Sequence, residues 1–244
     1  MADFTVKIAG VPIGVRSLFD STRDYCRAYF TGEAPQLRVE TCREDLAFEQ
    51  QAAREEALRE GFRFRNFPDP YLDRTSIQRK IADALLDRDI LVLHGSTIAV
   101  DGQGYLFTAR SGTGKSTHTR FWREAFGDRA VMVNDDKPFL RLEEAGILVC
   151  GAPWSGKHGL DTNITVPLKA ICILERGQEN RIRPITPREA LPMLLHQSHH
   201  PLDEARHPRL RAMVEALACR TPLWSMECTP APQAAEVAFE AMSR

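Results

Sequence analysis

YLFTARSGTGKSTHTRFWREAFGDRAVMVNDD, residues 105–136, carries the strongest indications of the fold in this chain. Its first apolar run, Tyr105–Thr108, predicts a strand, and the glycine-rich SGTGKST (111–117) predicts a tight turn that leads into a helix. A second apolar run, Arg129–Asn134, predicts a buried strand that ends in two aspartates. Strand, turn, helix and strand in this order predict an α/β fold.

The glycine-rich turn has the composition of an anion site. Gly112 and Gly114 let successive backbone N–H groups point inward, and the helix that begins near Lys115 adds its positive end. We expect Lys115 to reach the β- and γ-phosphates of a nucleotide and Ser116 to ligate Mg²⁺. The residues expected to bind ATP, or another nucleoside triphosphate, are Ser111, Gly112, Thr113, Gly114, Lys115, Ser116 and Thr117. The usual pattern has a further glycine where this chain has Ala109.

Asp135 and Asp136 form the second candidate element, because they end the strand that follows the turn and its helix. Neighbouring side chains on a strand diverge, so the two carboxylates can have distinct roles. One would act on the metal and the other would accept the proton of a hydroxyl. The alternative is a strand end whose aspartates are simply solvated.

HGSTIAVDGQGYLFTARSGTGKS (94–116), followed by VNDD (133–136), resembles the catalytic core of the HPr serine kinase/phosphorylase family, part of the phosphoenolpyruvate carboxykinase-like superfamily. In that family a histidine precedes a two-strand hairpin, a phosphate loop follows, and an Asp-Asp pair lies on the next strand. The residues that occupy matching places are His94, Gly112, Gly114, Lys115, Ser116, Asp135 and Asp136. The resemblance covers about Leu91 to Leu174.

The resemblance implies an α/β core with a mixed sheet, a P-loop and flanking helices, with His94 near the phosphates. It suggests Asp135 as the base and leaves Asp136 for the metal. The chain lacks the family's glycine-rich signature after the aspartates, and its first part does not look like the family's N-terminal domain. It therefore resembles the wider set of HPr-kinase-like proteins, which includes kinases associated with modified peptides, more than HPr kinase itself.

The segment Gly151–Asn163 predicts a loop that could contact the acceptor. We expect Lys157 to stabilise charge on the transferring phosphoryl group and Trp154 to exclude water or stack on the acceptor. A solvated turn is the alternative. HQSHHP (196–201) has two histidines at i, i+4, but no third ligand follows from its spacing, so we expect no metal there.

The organisation predicted along the chain is an N-terminal accessory region (1–88) packed on a core (89–244). The accessory region would hold a helix from about Glu44 to Glu60, stopped by Gly61, and a second helix capped by Thr75 or Ser76. Between them NFPDPY (66–71) is turn-rich. In the core, a hairpin beside strand–helix–strand units favours a mixed sheet over a uniformly parallel one.

The composition and the net charge exclude several classes of protein and partner. The 244 residues are 43% hydrophobic and 27% charged, which is typical of a globular protein. The net charge of −1 and the lack of a basic stripe argue against nucleic-acid or membrane partners. Six scattered cysteines without a CxxC pair, and a start without a signal-peptide pattern, predict a soluble cytoplasmic protein. Homo-oligomerisation stays open.

The function expected is therefore that of a kinase that moves the γ-phosphoryl group of ATP to a hydroxyl of a small molecule or of a peptide or protein serine. The alternative is a nucleotide-binding regulatory or assembly protein with little or no transferase activity. A carboxykinase is disfavoured by the small size of the chain and the missing substrate motifs.

Overall fold

The computed structural model describes residues 1–59, 61 and 63–244. The chain divides into two compact units, Met1–Ala84 and Leu85–Arg244. The second unit begins four residues before Asp89, where the core was predicted to start. The turn-rich segment 66–71 lies inside the first unit.

The first unit is built on a three-stranded sheet. Its elements are β1 (Ala2–Ile8), β2 (Val11–Ser17), α1 (Asp20–Tyr25), β3 (Leu37–Glu40), α2 (Arg43–Arg59) and α3 (Asp69–Leu85), the last residue of α3 belonging to the second unit. β1 and β2 pair antiparallel as a hairpin, and β3 pairs parallel to β2. Val6 and Ile8 of β1 are buried, and in β2 every residue from Val11 to Val15 is buried.

Both helices predicted in the first unit are present, with different bounds. α2 ends at Arg59, and Gly61 follows in the left-handed conformation at φ +72°, while Glu60 lies outside the described residues. α3 begins at Asp69 rather than at a cap on Thr75 or Ser76, so that prediction is wrong. The Thr75 hydroxyl donates to the Tyr71 carbonyl within the helix (3.0 Å). Proline suits the first turn of a helix, which explains why α3 starts within the turn-rich segment.

The second unit is a mixed sheet with helices on both faces. Its elements are β4 (Ile90–Val92), β5 (Ser96–Val100), β6 (Gln103–Thr108), α4 (Lys115–Phe126), β7 (Ala130–Asn134), β8 (Phe139–Glu143), β9 (Gly146–Cys150), β10 (Thr165–Arg176), β11 (Arg181–Pro184), α5 (Pro187–Gln197), α6 (His207–Arg220), β12 (Leu223–Cys228) and α7 (Gln233–Met242). The strand order is β4-β8-β9-β10-β6-β5-β7, with β12 beside β10 and β11 beside β12. β10 is parallel to β6 and β12 and the other pairs are antiparallel, which confirms the predicted mixed sheet.

Side-chain alternation divides the core of this unit between the two faces of the sheet. Leu106, Ile171 and Ile173 pack in one cluster with residues of α5 and α6. Phe107 and Cys172, one position along the same strands, pack in the other cluster with residues of α4 and α7. The central strands β6 and β10 are therefore covered on both sides, as their continuous apolar sequences require.

The topology gathers several strand ends at one edge of the sheet. β6, β10 and β12 run in parallel and end at Thr108, Arg176 and Cys228. β5 is antiparallel to both β6 and β7, so its first residue, Ser96, lies at the same edge as Asn134, the last residue of β7. In sheets of this kind ligands bind beyond the carboxyl ends of the parallel strands.

No helix in the described part of the chain is both long enough and apolar enough to cross a membrane.

Candidate active site

The loop between β6 and α4 depends on two glycines. Gly112 has φ +73° and Gly114 has φ +117°, in the region that L side chains rarely adopt. A Cβ at either position would meet no atom within 4 Å, so it is the backbone conformation, rather than lack of space, that requires glycine. The Thr113 N–H donates to the Arg110 carbonyl (3.3 Å), which closes the turn. The predicted tight turn is present.

Helix α4 presents an uncapped N-terminus to this loop. Its N-cap is Gly114, and within the described residues no side chain caps the helix and its first turn holds no acidic residue. The first N–H groups of a helix have no partner within the helix and carry its partial positive charge. This end of α4 is therefore suited to an anion.

Lys115 folds back across the loop. Its ammonium donates to the Ala109 carbonyl (3.2 Å), and the residue is only 9% exposed. The charge of Lys115 also helps to lower the pKa of Asp136, which means that the two side chains share one electrostatic environment. The predicted lysine is therefore within electrostatic range of one of the two predicted aspartates.

Asp136 lies beside His94. The His94 Nε2 is 3.1 Å from Oδ1 of Asp136, and the Gly95 N–H donates to the Asp136 carbonyl oxygen (3.0 Å). Burial raises the pKa of the Asp136 carboxyl, but the hydrogen bond from His94 and the charges of Lys137 and Lys115 outweigh it, so the pKa lies below its ordinary value. The Asp136 side chain is 31% exposed, so an ionised carboxylate is accessible here.

Asp135 points elsewhere, as predicted, although β7 ends at Asn134 and both aspartates lie in the bend that follows the strand. It is 5% exposed, and its Oδ1 accepts a hydrogen bond from the Ser96 hydroxyl (2.6 Å). The Ser96 hydroxyl is in turn 2.8 Å from that of Thr119 on α4. The two neighbouring carboxylates therefore differ: Asp135 is tied into buried hydroxyl groups beneath α4, and Asp136 is half-open beside a histidine.

Asn134 joins the end of β7 to the loop 151–163. Its side-chain oxygen accepts from the N–H groups of Asp136 (2.8 Å) and Lys137 (2.6 Å), and its amide nitrogen donates to the Ala152 carbonyl (2.7 Å). A Cβ on Gly156, at φ +70°, would lie 3.1 Å from Cβ of Asp136. The loop is therefore packed directly against Asp136.

Two predicted residues of this loop have different surroundings. Lys157 lies in the exposed turn Gly156–His158, one residue from the glycine that touches Asp136. Trp154 is only 5% exposed, and its ring lies 6.3 Å from that of Phe139. The prediction that Trp154 stacks on an acceptor is therefore wrong, because an indole so deeply buried is part of the packing.

A cleft of about 460 Å³ opens beside the loop, at the side away from β7. Gly112, Thr113 and Gly114 form its edge, together with Thr117 and His118 of α4, and the opposite wall comes from the chain after β10 and β12. The Arg176 guanidinium donates to the Gly112 carbonyl (2.6 Å) and so ties the end of β10 to the glycine-rich loop.

Four further residues at the site were not predicted from the sequence: Ser96, Asn134, Arg176 and His118. Ser96 and Asn134 lie inside the quoted motifs, and their polarity within apolar runs was an available signal. Arg176 had none, because its place depends on the pairing of β10 with β6, which are far apart in sequence.

The described residues contain no group of three or more His, Cys, Asp or Glu side chains that could hold a metal ion. In the segment 196–201, His200 Nε2 lies 2.9 Å from the Leu195 carbonyl oxygen. The oxygen donors Ser116, Asp135 and Asp136 are of the type that Mg²⁺ prefers, and Mg²⁺ usually completes its coordination with phosphates and water. The donor set therefore fits this ion.

Residues 74–221, more than half of the chain, match the family described as "SynChlorMet cassette protein ScmC". The chain belongs to this family. The matched region of this ScmC-family chain includes the glycine-rich loop, both aspartates, His94 and Arg176.

Among solved structures, the chain is similar to the HPr(Ser) kinase/phosphatase from Coxiella burnetii, at 12% identity and a TM-score of 0.38. The similarity covers 62% of this chain and 94% of that one. No curated protein matches the chain. A similarity at this level carries no argument about function, so the possible chemistry is inferred from the residues of the site alone.

Proposed function

We propose that the chain is an ATP-dependent phosphotransferase that moves the γ-phosphoryl group to a hydroxyl of a small molecule or of a peptide or protein serine. The observation that carries the proposal is the meeting of the uncapped N-terminus of α4, the Lys115 ammonium and the Asp136–His94 pair at one sheet edge. Phosphoryl transfer requires chiefly positioning and charge stabilisation, and these groups can supply both.

In this proposal the loop and α4 form a P-loop. The N–H groups of residues 111–117 hold the phosphates, and the Lys115 ammonium exchanges its bond to the Ala109 carbonyl for the β- and γ-phosphates. Arg176 supports the loop from the other side through the Gly112 carbonyl.

Asp136 is the proposed base. The ionised carboxylate accepts the hydroxyl proton as the acceptor oxygen bonds to the γ-phosphorus and the bond to the β–γ bridging oxygen breaks, releasing ADP. His94 holds this carboxylate in place. The family resemblance suggests Asp135 instead, but the exposure of Asp136 and the burial of Asp135 support the reverse assignment.

Mg²⁺ would be held by the Ser116 hydroxyl and by Asp135, whose partner Ser96 also contacts α4 through Thr119. Bound there, the ion would neutralise charge on the β- and γ-phosphate oxygens.

Lys157 is the proposed cation on the acceptor side, because its turn packs against Asp136. A nucleotide-binding regulatory protein would need the loop but no accessible carboxylate beside a histidine, so the Asp136–His94 pair favours the transferase.

The test is acceptor-dependent turnover with [γ-³²P]ATP and Mg²⁺, screened over alcohols, serine peptides and serine-containing proteins. Lys115→Ala should lower turnover by about 100-fold or more, because it removes the principal charge available to the γ-phosphate. Lys7→Ala, an exposed lysine of the first unit, is the matched control and should have no effect. If ATP binds but no acceptor stimulates ADP release, the regulatory alternative is favoured. Unchanged turnover in Lys115→Ala would overturn the proposal.

A further inference from the structure

The cleft beside the glycine-rich loop has the size and walls of a small-molecule site. Its volume of about 460 Å³ falls within the range of roughly 300–1,000 Å³ typical of such sites. Its lining combines the apolar Phe121 and Pro230 with the polar Gln178 and Thr229 and the Arg176 guanidinium. A lining of apolar side chains with a few polar groups suits a heteroaromatic ring joined to a sugar.

His118 is the buried polar residue that lines this cleft. It is 3% exposed, its ring lies 4.5 Å from that of Phe107, and the Trp122 indole N–H donates to its Nε2 (3.1 Å). An indole nitrogen can only donate, so Nε2 is the unprotonated nitrogen and the proton of the neutral ring is on Nδ1. Among the described residues Nδ1–H has no hydrogen-bond partner.

Burial keeps this arrangement fixed. It lowers the pKa of His118 to about 4, so the ring stays neutral at physiological pH. Trp122 is fully buried among aromatic rings and holds Nε2 in its acceptor role. His118 therefore offers a single hydrogen-bond donor, Nδ1–H, throughout the physiological pH range.

We infer that this cleft binds the nucleoside part of the triphosphate, and that His118 selects it by donating a hydrogen bond from Nδ1 to the base or ribose. The inference rests on the proposed function, because the phosphates must lie on the loop that forms one edge of the cleft. Thr113 and Thr117 connect the two subsites, since both belong to the loop region and line the cleft.

The first experiment separates the two subsites by calorimetric titration of the full chain with ATP, GTP and inorganic tripolyphosphate, each with Mg²⁺. Tripolyphosphate probes the loop alone, and the nucleotides probe the loop and the cleft together. We expect at least one nucleotide to bind about tenfold or more tightly than tripolyphosphate. Equal affinities for all three would overturn the inference and leave the phosphate site intact. If none of the three binds, the proposed function itself fails.

Variants then test His118. His118→Leu should lower the affinity for the preferred nucleotide by about tenfold and leave tripolyphosphate unchanged, because only the cleft loses a donor. His118→Gln should retain most of the affinity, since an amide can accept from Trp122 and still donate. His196→Leu, at an exposed position on α5, is the matched control. Unchanged nucleotide affinity in His118→Leu would overturn the role of His118.

A measurement on the unmodified chain covers the case in which a variant does not fold. Cys228 lines the cleft, and Cys42 is exposed in the first unit. Alkylation by N-ethylmaleimide, followed by peptide mass spectrometry, should be slowed several-fold at Cys228 by saturating ATP but not by tripolyphosphate. The rate at Cys42 should stay constant. An unchanged Cys228 rate at saturating ATP would count against occupation of the cleft.

Discussion

Two aspartate carboxylates, one in each unit, have opposite surroundings. Asp73 in the first unit is fully buried and accepts hydrogen bonds from the Leu18 N–H (3.2 Å) and from the hydroxyls of Thr22 (2.5 Å) and Thr41. Asp136 in the second unit is 31% exposed and faces His94, with cations nearby.

The Asp73 carboxylate stabilises the fold, whereas the Asp136 carboxylate is accessible to a substrate. All the donors around Asp73 are neutral: Leu18 directly follows β2, Thr22 belongs to α1 and Thr41 directly follows β3. A buried acceptor with three donors fixes geometry and leaves no room for a substrate. Asp136 keeps an open side and an ionised carboxylate, which is what a base requires.

The largest expected effect is on catalysis. Asp136→Asn should lower kcat by at least about 100-fold while nucleotide affinity and thermal stability change little, because an amide cannot accept the proton. The measurement is acceptor-dependent ADP release together with calorimetric ATP binding. Asp128→Asn, exposed near the start of β7, is the control. If Asp135→Asn abolished turnover and Asp136→Asn did not, the roles of the pair would be exchanged.

The corresponding change in the first unit should act on stability alone. Asp73→Ala leaves three donors without an acceptor, and we expect it to lower the free energy of unfolding of that unit by about 3 kcal/mol. Denaturation followed by circular dichroism measures this, with exposed Asp24→Ala as the control. A chain with two compact units can unfold in more than one transition, so the transition that Asp73→Ala shifts is the one to compare. Loss of kcat in chains that remain folded would contradict the contrast with Asp136.

His118 makes the free energy of unfolding of the second unit depend on pH. Its pKa of about 4 in the folded chain lies below its ordinary value of 6.5, so the unfolded chain binds the proton first as pH falls. The stability contribution is complete above about pH 6.5 and is lost as pH falls towards 4, by about 3 kcal/mol over that window. The free energy of unfolding of the wild type should therefore fall more steeply than that of His118→Gln. Parallel pH profiles would show that His118 is not buried as a neutral ring.

The smallest expected effect is at the exposed turn beside Asp136. Lys157→Ala should lower kcat/KM for the acceptor by about tenfold and leave ATP affinity unchanged. The effect is small because solvent screens the charge of an exposed ammonium group. Turnover at varied acceptor concentration measures this, and His158→Ala in the same turn is the control. An equal loss of ATP affinity would assign Lys157 to the nucleotide instead.

The local elements around the site could be predicted from the sequence because each has a short-range signal. The glycines at 112 and 114, the helix from Lys115 and the apolar run that ends at Asn134 follow from backbone conformation and periodicity, and all three are present. Asp135 and Asp136 diverge as the sequence predicted, but they do so in the bend after β7 rather than on the strand itself. The start of α3 was missed because a proline in a first turn was interpreted as a break.

The loop, the acid pair and the mixed α/β class could be predicted from the sequence, since these depend on neighbours along the chain. The exposure of Asp136, the burial of Trp154 and the position of Arg176 and His118 on one cleft are apparent only in the folded chain. Those facts depend on the parallel pairing of β10 with β6 and β12 and on the packing of α4 against the sheet. Burial and pKa are set by atoms from distant parts of the chain, which local patterns do not encode.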